Sequence, residues 1–193
     1  MIYKVVNGLK RGYIAVMQDD GTYGKPIDVG NLIEVSIDIA EDTANLDAGN
    51  GTIMSDSAIG QTKVTVSLPG LSDELKNIIY GNKKGDNGEI ISTTDDVKPY
   101  LAFQFERTLK TSTGKEISEY VTLYKGQFNL SKSDAKTKES GKVNFQTEQI
   151  EGTFMGLDDH DHIYMSSVKS DSDGFDADKL KFGTEITFPT IAA

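Results

Sequence analysis

The side chains best suited to metal chemistry lie in one short run near the C-terminus. Both histidines of the chain, His160 and His162, stand among the aspartates of residues 158–162. Residues two positions apart share a face of a strand, so an extended backbone would offer two imidazole ligands to a transition metal. No third ligand follows at a recognisable spacing, and the sequence favours a solvated acidic turn over a metal site.

A second acidic run, residues 171–178 (DSDGFDAD), resembles the start of a calcium loop. Its glycine is too early for an EF-hand loop, and no glutamate stands at the twelfth position. Calcium binding would relieve the repulsion among the four carboxylates of this run. Charge runs of this kind are more typical of acidic linkers, and we favour a linker over a calcium site.

The sequence contains none of the common arrangements for catalysis. Neither histidine lies in a triad context, and no Gly-rich phosphate loop, Walker-type lysine or Gly-x-Ser-x-Gly elbow occurs. A spatial pair of carboxylates is invisible in a sequence, which leaves a small β-rich hydrolase as a minor alternative. We expect that the protein is not an enzyme, and we predict no catalytic residue, no cofactor site and no metal site.

The composition indicates one soluble domain that is rich in turns. A chain of 193 residues is long enough to bury a core, and 19 Gly against 4 Pro suits a mostly β protein. Without cysteine, the chain cannot form disulfides or a Cys-ligated zinc site. Its apolar runs of about five residues are far shorter than a membrane span, and charged residues interrupt the N-terminus. We therefore expect a cytoplasmic product with no membrane segment and no export signal.

The net charge of −10 is concentrated in two segments. Residues 41–60 carry four acids and no base, and residues 156–193 carry eight acids and three bases. The rest of the chain is nearly neutral, with 18 acids and 17 bases, and the lysines of residues 132–142 alternate with acids. Because such a chain repels phosphates, we expect no specific binding of DNA or RNA.

Alternation of apolar and polar residues predicts a series of short strands. In residues 32–39 every second residue is Ile or Val, and the residues between them are mainly polar. Similar patterns predict strands at 13–18, 61–68, 100–107, 119–125 and 143–154. Residues 108–117 are predicted to be a hairpin connection, and a bulge is predicted near Gly126. Aromatic residues at 100, 103, 105, 120, 124 and 128 fall at strand spacing, which indicates core or interface positions.

One helix and one long connection complete the prediction. Ser72 is a good N-cap, the apolar residues from Leu71 to Ile79 recur on one helical face, and Gly81 provides a left-handed stop. Residues 40–60 lose the alternation, which predicts a structureless connection of about 20 residues. The expected fold is mainly β, a sandwich or barrel with one short α-helix, from which an extended loop and an acidic C-terminal arm project.

Several stretches, taken in order and with their spacing, carry a resemblance to a known family. They are GLK at 8–10 leading into YIA at 13–15, GTYG at 21–24, KPYLA at 98–102, and the strands at 120–128 and 142–154. In this combination the chain resembles the major tail proteins of long-tailed bacteriophages, especially the group found in phages of Gram-positive bacteria. The resemblance covers residues 8–155 and fades through the C-terminal arm.

The resemblance implies a β-sandwich domain of the tail-tube type at residues 1–155 and an acidic extension at 156–193. It also implies a structural virion protein, assembled in the host cytoplasm, whose hexameric rings stack into a tube for genome delivery. We predict that residues 43–60 and 108–117 contact neighbouring subunits or rings. Other tail proteins are the further partners, and DNA is expected to pass through the lumen without specific binding.

The main alternative is a monomeric β-sandwich binding module of the carbohydrate or adhesin type. Such a module predicts an exposed aromatic platform and a monomer in solution. The chain has no Trp, which argues mildly against sugar stacking, although its eight tyrosines can take that role.

Overall fold

Strands dominate the residues that the computed structural model describes, which are 3–48, 51–129 and 147–190. This confirms the predicted mainly β class. Residues 130–146, which include the lysine-rich loop and the start of the predicted strand 143–154, lie outside the described residues. Within the described ranges the elements are β1 (Lys4–Val16), β2 (Ile27–Asn31), β3 (Glu34–Ala48), β4 (Gly51–Leu68), α1 (Asp73–Tyr80), β5 (Lys83–Lys84), β6 (Ile90–Ile91), β7 (Leu101–Thr111), β8 (Glu116–Asn129), β9 (Glu148–Met155), β10 (Met165–Lys169) and α2 (Ala177–Leu180).

Eight strands form one antiparallel sheet that folds back on itself. Its order is β2-β1-β7-β8-β9-β4-β3, and β10 pairs with the first half of β8. The end strands β2 and β3 are consecutive in the chain, separated only by Leu32 and Ile33. The amide of Leu32 donates to the carbonyl of Lys10 on β1, and the amide of Ile33 donates to the carbonyl of Ser67 on β4. The two ends of the sheet therefore meet, which gives the facing layers of a sandwich.

The main core lies between these layers. Along β4 the alternation buries Val64, Val66 and Leu68 and leaves Lys63 exposed. Four phenylalanines from β7, β8 and β9 fill the centre, with neighbouring ring centroids 5.5–6.0 Å apart: Phe103, Phe105, Phe128 and Phe154. Burial of each large apolar side chain contributes about 1.5–3 kcal/mol, so the four rings together stabilise the fold by about 6–12 kcal/mol before the entropy cost of folding is counted.

Helix α1 covers one side of this core and confirms the predicted helix. The Ser72 hydroxyl accepts a hydrogen bond from the amide of Leu75, and Gly81 ends the helix with φ near 70°. The predicted apolar face is the buried one, because Leu75 and Ile79 pack into the main core. The helix therefore follows from local signals that agree with its packing.

The C-terminal segment, residues 157–188, lies across the outer face of β1, β7 and β8. There Leu157 and Ile186 pack with Ala15, Ala102 and Tyr124 in a second apolar cluster. The expectation that this segment projects from the body is wrong. Its few apolar side chains are widely spaced in the sequence, but they are enough to hold an acidic segment on the sheet. The division of the chain at residue 155 stays a prediction.

In the long connection, residues 40–48 and 51–60 are paired antiparallel strands, so the prediction of a structureless segment is wrong. Strands β3 and β4 pair from Glu34 opposite Ser67 out to Ala48 opposite Gly51. Backbone hydrogen bonds between two strands do not require alternating side chains, and neither face of the outer half is buried. The hairpin predicted at 108–117 is confirmed, with a tight turn between β7 and β8.

The bulge predicted near Gly126 is confirmed. Leu101 of β7 pairs with Gly126, whereas Phe103 pairs with Leu123, so β8 holds one extra residue between these pairs. Gly126 also lies against the ring of Phe154, and a Cβ at this position would overlap that ring. A glycine is therefore required for close packing of β8 against β9.

Candidate functional site: the arm and the N-terminal groove

The outer halves of β3 and β4, residues 38–48 and 51–61, form a two-stranded ribbon that we call the arm. Every arm residue whose burial the structure describes is exposed, whereas Ile37 packs on the core and Thr62 is 1% exposed. At about 3.4 Å per residue, the eleven residues from 38 to 48 span about 35 Å. Among the described residues, the arm is therefore held by its own cross-strand pairs and contributes nothing to the core.

The outer end of the arm presents large apolar side chains. Leu46 and Met54 are directly paired across the strands, which places them on the same face, and they are 57% and 65% exposed. Ile53 lies at the adjacent register shift and is 65% exposed. We call these three side chains the arm tip. Nearer the base, Ile59 is 61% exposed and stands opposite Glu41.

The arm is also acidic throughout. Its residues 41–60 carry Glu41, Asp42, Asp47 and Asp56 and no lysine or arginine. Asp56 is two residues from Met54 on β4, so the alternation of a strand places its carboxylate on the face of the arm tip. The arm tip is thus an apolar patch bordered by negative charge.

A second exposed apolar surface lies at the start of β1 and the end of β7, and we call it the N-terminal groove. It has a volume of about 340 Å³ and is lined by Tyr3, Val5, Val6, Asn7, Lys110, Thr111 and Ser112. Its three large apolar side chains, Tyr3, Val5 and Val6, are 66%, 65% and 51% exposed. Strand β2 pairs with β1 only from residue 11 to residue 14, so β1 from residue 4 to residue 9 has an open outer edge among the described strands.

Sequence reasoning missed the groove, because the first strand was predicted to begin at residue 13 and β1 begins at Lys4. Two register shifts of β1 against β7 interrupt the alternation in this stretch. The available signal was the high β-propensity of Tyr3, Val5 and Val6, which favours a strand without indicating a face.

The two histidines lie in a turn and not on a strand. The ring of His160 packs against Phe188, with centroids 3.9 Å apart, while His162 has a left-handed backbone with φ near 57°. The Asp158 carboxylate forms an ion pair with Lys125 at 3.1 Å. In the part of the chain that the structure describes, no group of three or more His, Asp or Glu side chains converges on a common point.

The acidic run 171–178 holds the C-terminal segment in place. The Asp171 carboxylate accepts a hydrogen bond from Lys4 at 2.7 Å, and this ammonium lowers the pKa of Asp171 below its usual value of 3.8. Asp176 caps the short helix α2, and Phe175 stacks on Tyr120 with centroids 5.9 Å apart. Two of the four carboxylates thus have structural partners within the chain.

One buried carboxylate was not anticipated from the sequence. Glu119 on β8 is 4% exposed, and the alternation of the strand places it on the same face as Val121 of the main core. It forms ion pairs with Arg107 of β7 and with Lys169 of β10, the latter at 3.9 Å. Two cations therefore balance this buried charge, which is the arrangement of a structural ion pair.

Comparisons with known proteins add little to this geometry. No protein-family model matches the sequence, and no curated protein matches it. Among solved structures, the chain is similar to the tube-terminating cap of the anti-feeding prophage, determined by cryo-EM. The identity is 14%, the TM-score is 0.40, and the match covers 83% of this chain and 89% of the cap chain. A likeness at this level assigns neither family nor function. No helix among the described residues is long and apolar enough to cross a membrane.

Proposed function

We propose that this protein is a structural subunit of a phage tail tube, whose copies close into hexameric rings that stack into a conduit for genome delivery. The observation that carries the proposal is the arm, a ribbon that extends away from its own core and presents apolar side chains there. The ordered stretches that resemble major tail proteins, between residues 8 and 155, support this kind of assembly.

The energetics of the arm favour contact with another molecule. An isolated two-stranded ribbon is at best marginally stable in water, and none of the strands that the structure describes pairs with the arm as a third strand. Covering one large apolar side chain contributes up to about 1.5–3 kcal/mol. A neighbouring subunit that covers the arm tip would therefore stabilise both the ribbon and the assembly.

The open edges of the sheet fit repeated head-to-tail contacts. Strand β3 has β4 on one side only, and β1 lacks an outer neighbour from residue 4 to residue 9 among the described strands. Exposed strand edges are aggregation hazards in a monomer, but in an assembly they pair with neighbouring chains. Two different surfaces on each subunit produce a heterologous interface, which closes into a ring when its rotation closes.

The charge suits a DNA conduit. A hexamer of this chain would carry about −60, six times the −10 of one copy. A tube of like charge repels phosphates, so DNA passes through it without being held. Other tail proteins are the further partners, the assembled product is part of the virion, and assembly takes place in the host cytoplasm. This role works by geometry, and the proposal assigns no catalytic residue, cofactor or metal.

Light scattering coupled to size-exclusion chromatography tests the proposal on the purified full chain. Six copies of the 21.0 kDa chain have a mass of about 126 kDa, and we expect this species, together with larger multiples, to grow with concentration. A constant mass of one chain at every concentration would overturn the proposal. A monomer that also binds a glycan panel would establish the alternative, a carbohydrate-binding module.

A further inference from the structure

We propose that the N-terminal groove of one copy is the socket for the arm tip of the adjacent copy. This inference rests on the proposed function, because it names the surface that receives the arm. The occupant is therefore a second copy of this chain, and the contact joins residues that no single copy brings together.

The groove is suited to an apolar ligand of modest size. Its volume of about 340 Å³ is open to solvent, and Tyr3, Val5 and Val6 are all more than half exposed. Val5 is directly opposite Lys110, so both side chains stand on the same face of the sheet. On β8, the strand on the other side of β7, Glu116 is directly opposite Lys110. No ion pair joins the Lys110 ammonium to a carboxylate that the structure describes.

The arm tip complements this groove in apolar character and in charge. Leu46, Ile53 and Met54 are exposed apolar side chains at the outer end of the arm, and the groove is lined in part by exposed apolar side chains. The acids around the tip include Asp56, and the arm has no base, whereas the groove contributes an exposed ammonium. An apolar centre with a charged pair at its border is the usual anatomy of a protein interface.

The strand directions favour a contact between neighbouring copies. Strands β4 and β8 are parallel, because each is antiparallel to β9, so the arm and the β7–β8 turn beside the groove lie at the same end of the sheet. Both surfaces remain exposed within one copy, so the arm does not fill its own groove. Each copy therefore offers one arm and one groove, which generates a heterologous, ring-forming contact.

The absence of cysteine from the chain permits a direct test by disulfide formation. One protein carries Met54→Cys, and a second, with a tag of different size, carries Tyr3→Cys, Val5→Cys or Val6→Cys. The two are mixed, assembled and mildly oxidised, and the mixed dimer is measured on a non-reducing gel. A disulfide requires Cα atoms within about 7 Å, so three groove positions sample the docking geometry. All four positions are at least half exposed, and the substitutions leave the core unchanged.

We expect at least one groove position to form the mixed dimer several-fold faster than a control pair of Met54→Cys with Val97→Cys. Val97 is 83% exposed and lies outside both surfaces. Rings or tubes in which no groove position exceeds the control would overturn this inference and leave the proposed function standing. A predominance of disulfides between two copies of the Met54→Cys protein would overturn it as well. Failure to assemble at all would overturn both proposals.

Charge reversal gives a second readout that does not depend on disulfide geometry. Lys110→Glu alone should raise the concentration needed for assembly by about two- to fivefold, the usual range for a solvent-exposed ion pair. Combining it with Asp56→Lys should restore assembly towards the wild-type level. An equal defect in the single and double variants would contradict a contact between these two positions.

Discussion

The prediction that follows most directly from the arm is the effect of truncating its tip. Leu46→Ala combined with Met54→Ala removes two side chains that contact nothing in the core of their own subunit. Assembly should be weakened, while the folding of the single subunit should be nearly unaffected. Assembly and folding respond differently because the arm contributes to the stability of a single copy only through the pairing of its own two strands.

The expected magnitude comes from the exposure of these side chains. Leu46 is 57% exposed and Met54 is 65% exposed, so more than half of each side chain is still available for burial. With about 1.5–3 kcal/mol for complete burial of one such side chain, docking would gain about 1–2 kcal/mol from each. Allowing for the Cβ that alanine retains, the double variant should lose about 2–3 kcal/mol per contact, which weakens association by about 30- to 150-fold.

Sedimentation velocity over a range of concentrations measures this loss, and thermal unfolding of the dilute subunit measures the fold. The association curve of the double variant should move to higher concentration by at least tenfold, with the unfolding midpoint of the subunit within about 2 °C of wild type. Val97→Ala is the matched control, because it also shortens an exposed apolar side chain. If the double variant assembles like this control, the arm tip does not contribute to association.

Further predictions concern the fold of the subunit. Gly126→Ala should destabilise the fold by about 1–3 kcal/mol, because a Cβ there overlaps the ring of Phe154. Gly8→Ala is the control, because a Cβ there meets no neighbour. Equal denaturation midpoints for the two variants would contradict this prediction. Ser72→Ala should cost about 0.5–2 kcal/mol in urea denaturation by removing the N-cap, and Ser72→Asn should restore most of it. Burial raises the pKa of Glu148, but hydrogen bonds, chiefly from Lys76, outweigh it and hold the pKa below 4.5. This carboxylate therefore stabilises the fold above pH 4.5, and the stabilisation is lost as pH falls through its lowered pKa. The difference in unfolding midpoint between wild type and Glu148→Gln should therefore shrink below pH 4.5. An equal difference at pH 3 and pH 7 would argue against the interaction.

The sequence was most informative where one face of an element is buried. Val64, Val66 and Leu68 alternate with polar residues because β4 has the core on one side and solvent on the other. The helix at 73–80 was recognised because its cap at Ser72 and its apolar face point to the same element. In both cases local pattern and tertiary packing agree.

Prediction failed where no face of a strand is buried, and where only a few apolar side chains hold a segment on the sheet. The arm carries polar and apolar residues on both faces, so no alternation marks it as a strand, and its two strands are joined by backbone hydrogen bonds. In the C-terminal segment, acidic and serine residues concealed the few apolar side chains, such as Ile186, that hold it on the sheet. Such contacts depend on which surface of the folded protein the segment reaches, and a local sequence pattern does not contain that information.

The candidate site was predicted in part. Residues 43–60 were expected to contact neighbours because they formed a long interruption in the pattern, and the described residues among them, 43–48 and 51–60, form an exposed ribbon. The N-terminal groove gave no such signal, because its lining comes from two strands that are about 100 residues apart in the sequence, with Val5 opposite Lys110. A surface of this kind exists only after the sheet has formed.

Electron microscopy of the concentrated protein shows directly whether its copies assemble. We expect rings with sixfold symmetry and hollow tubes made of stacked rings, in which the arm of each copy lies on another copy. A field of single 21.0 kDa particles at high concentration, with the arm folded onto its own subunit, would contradict it.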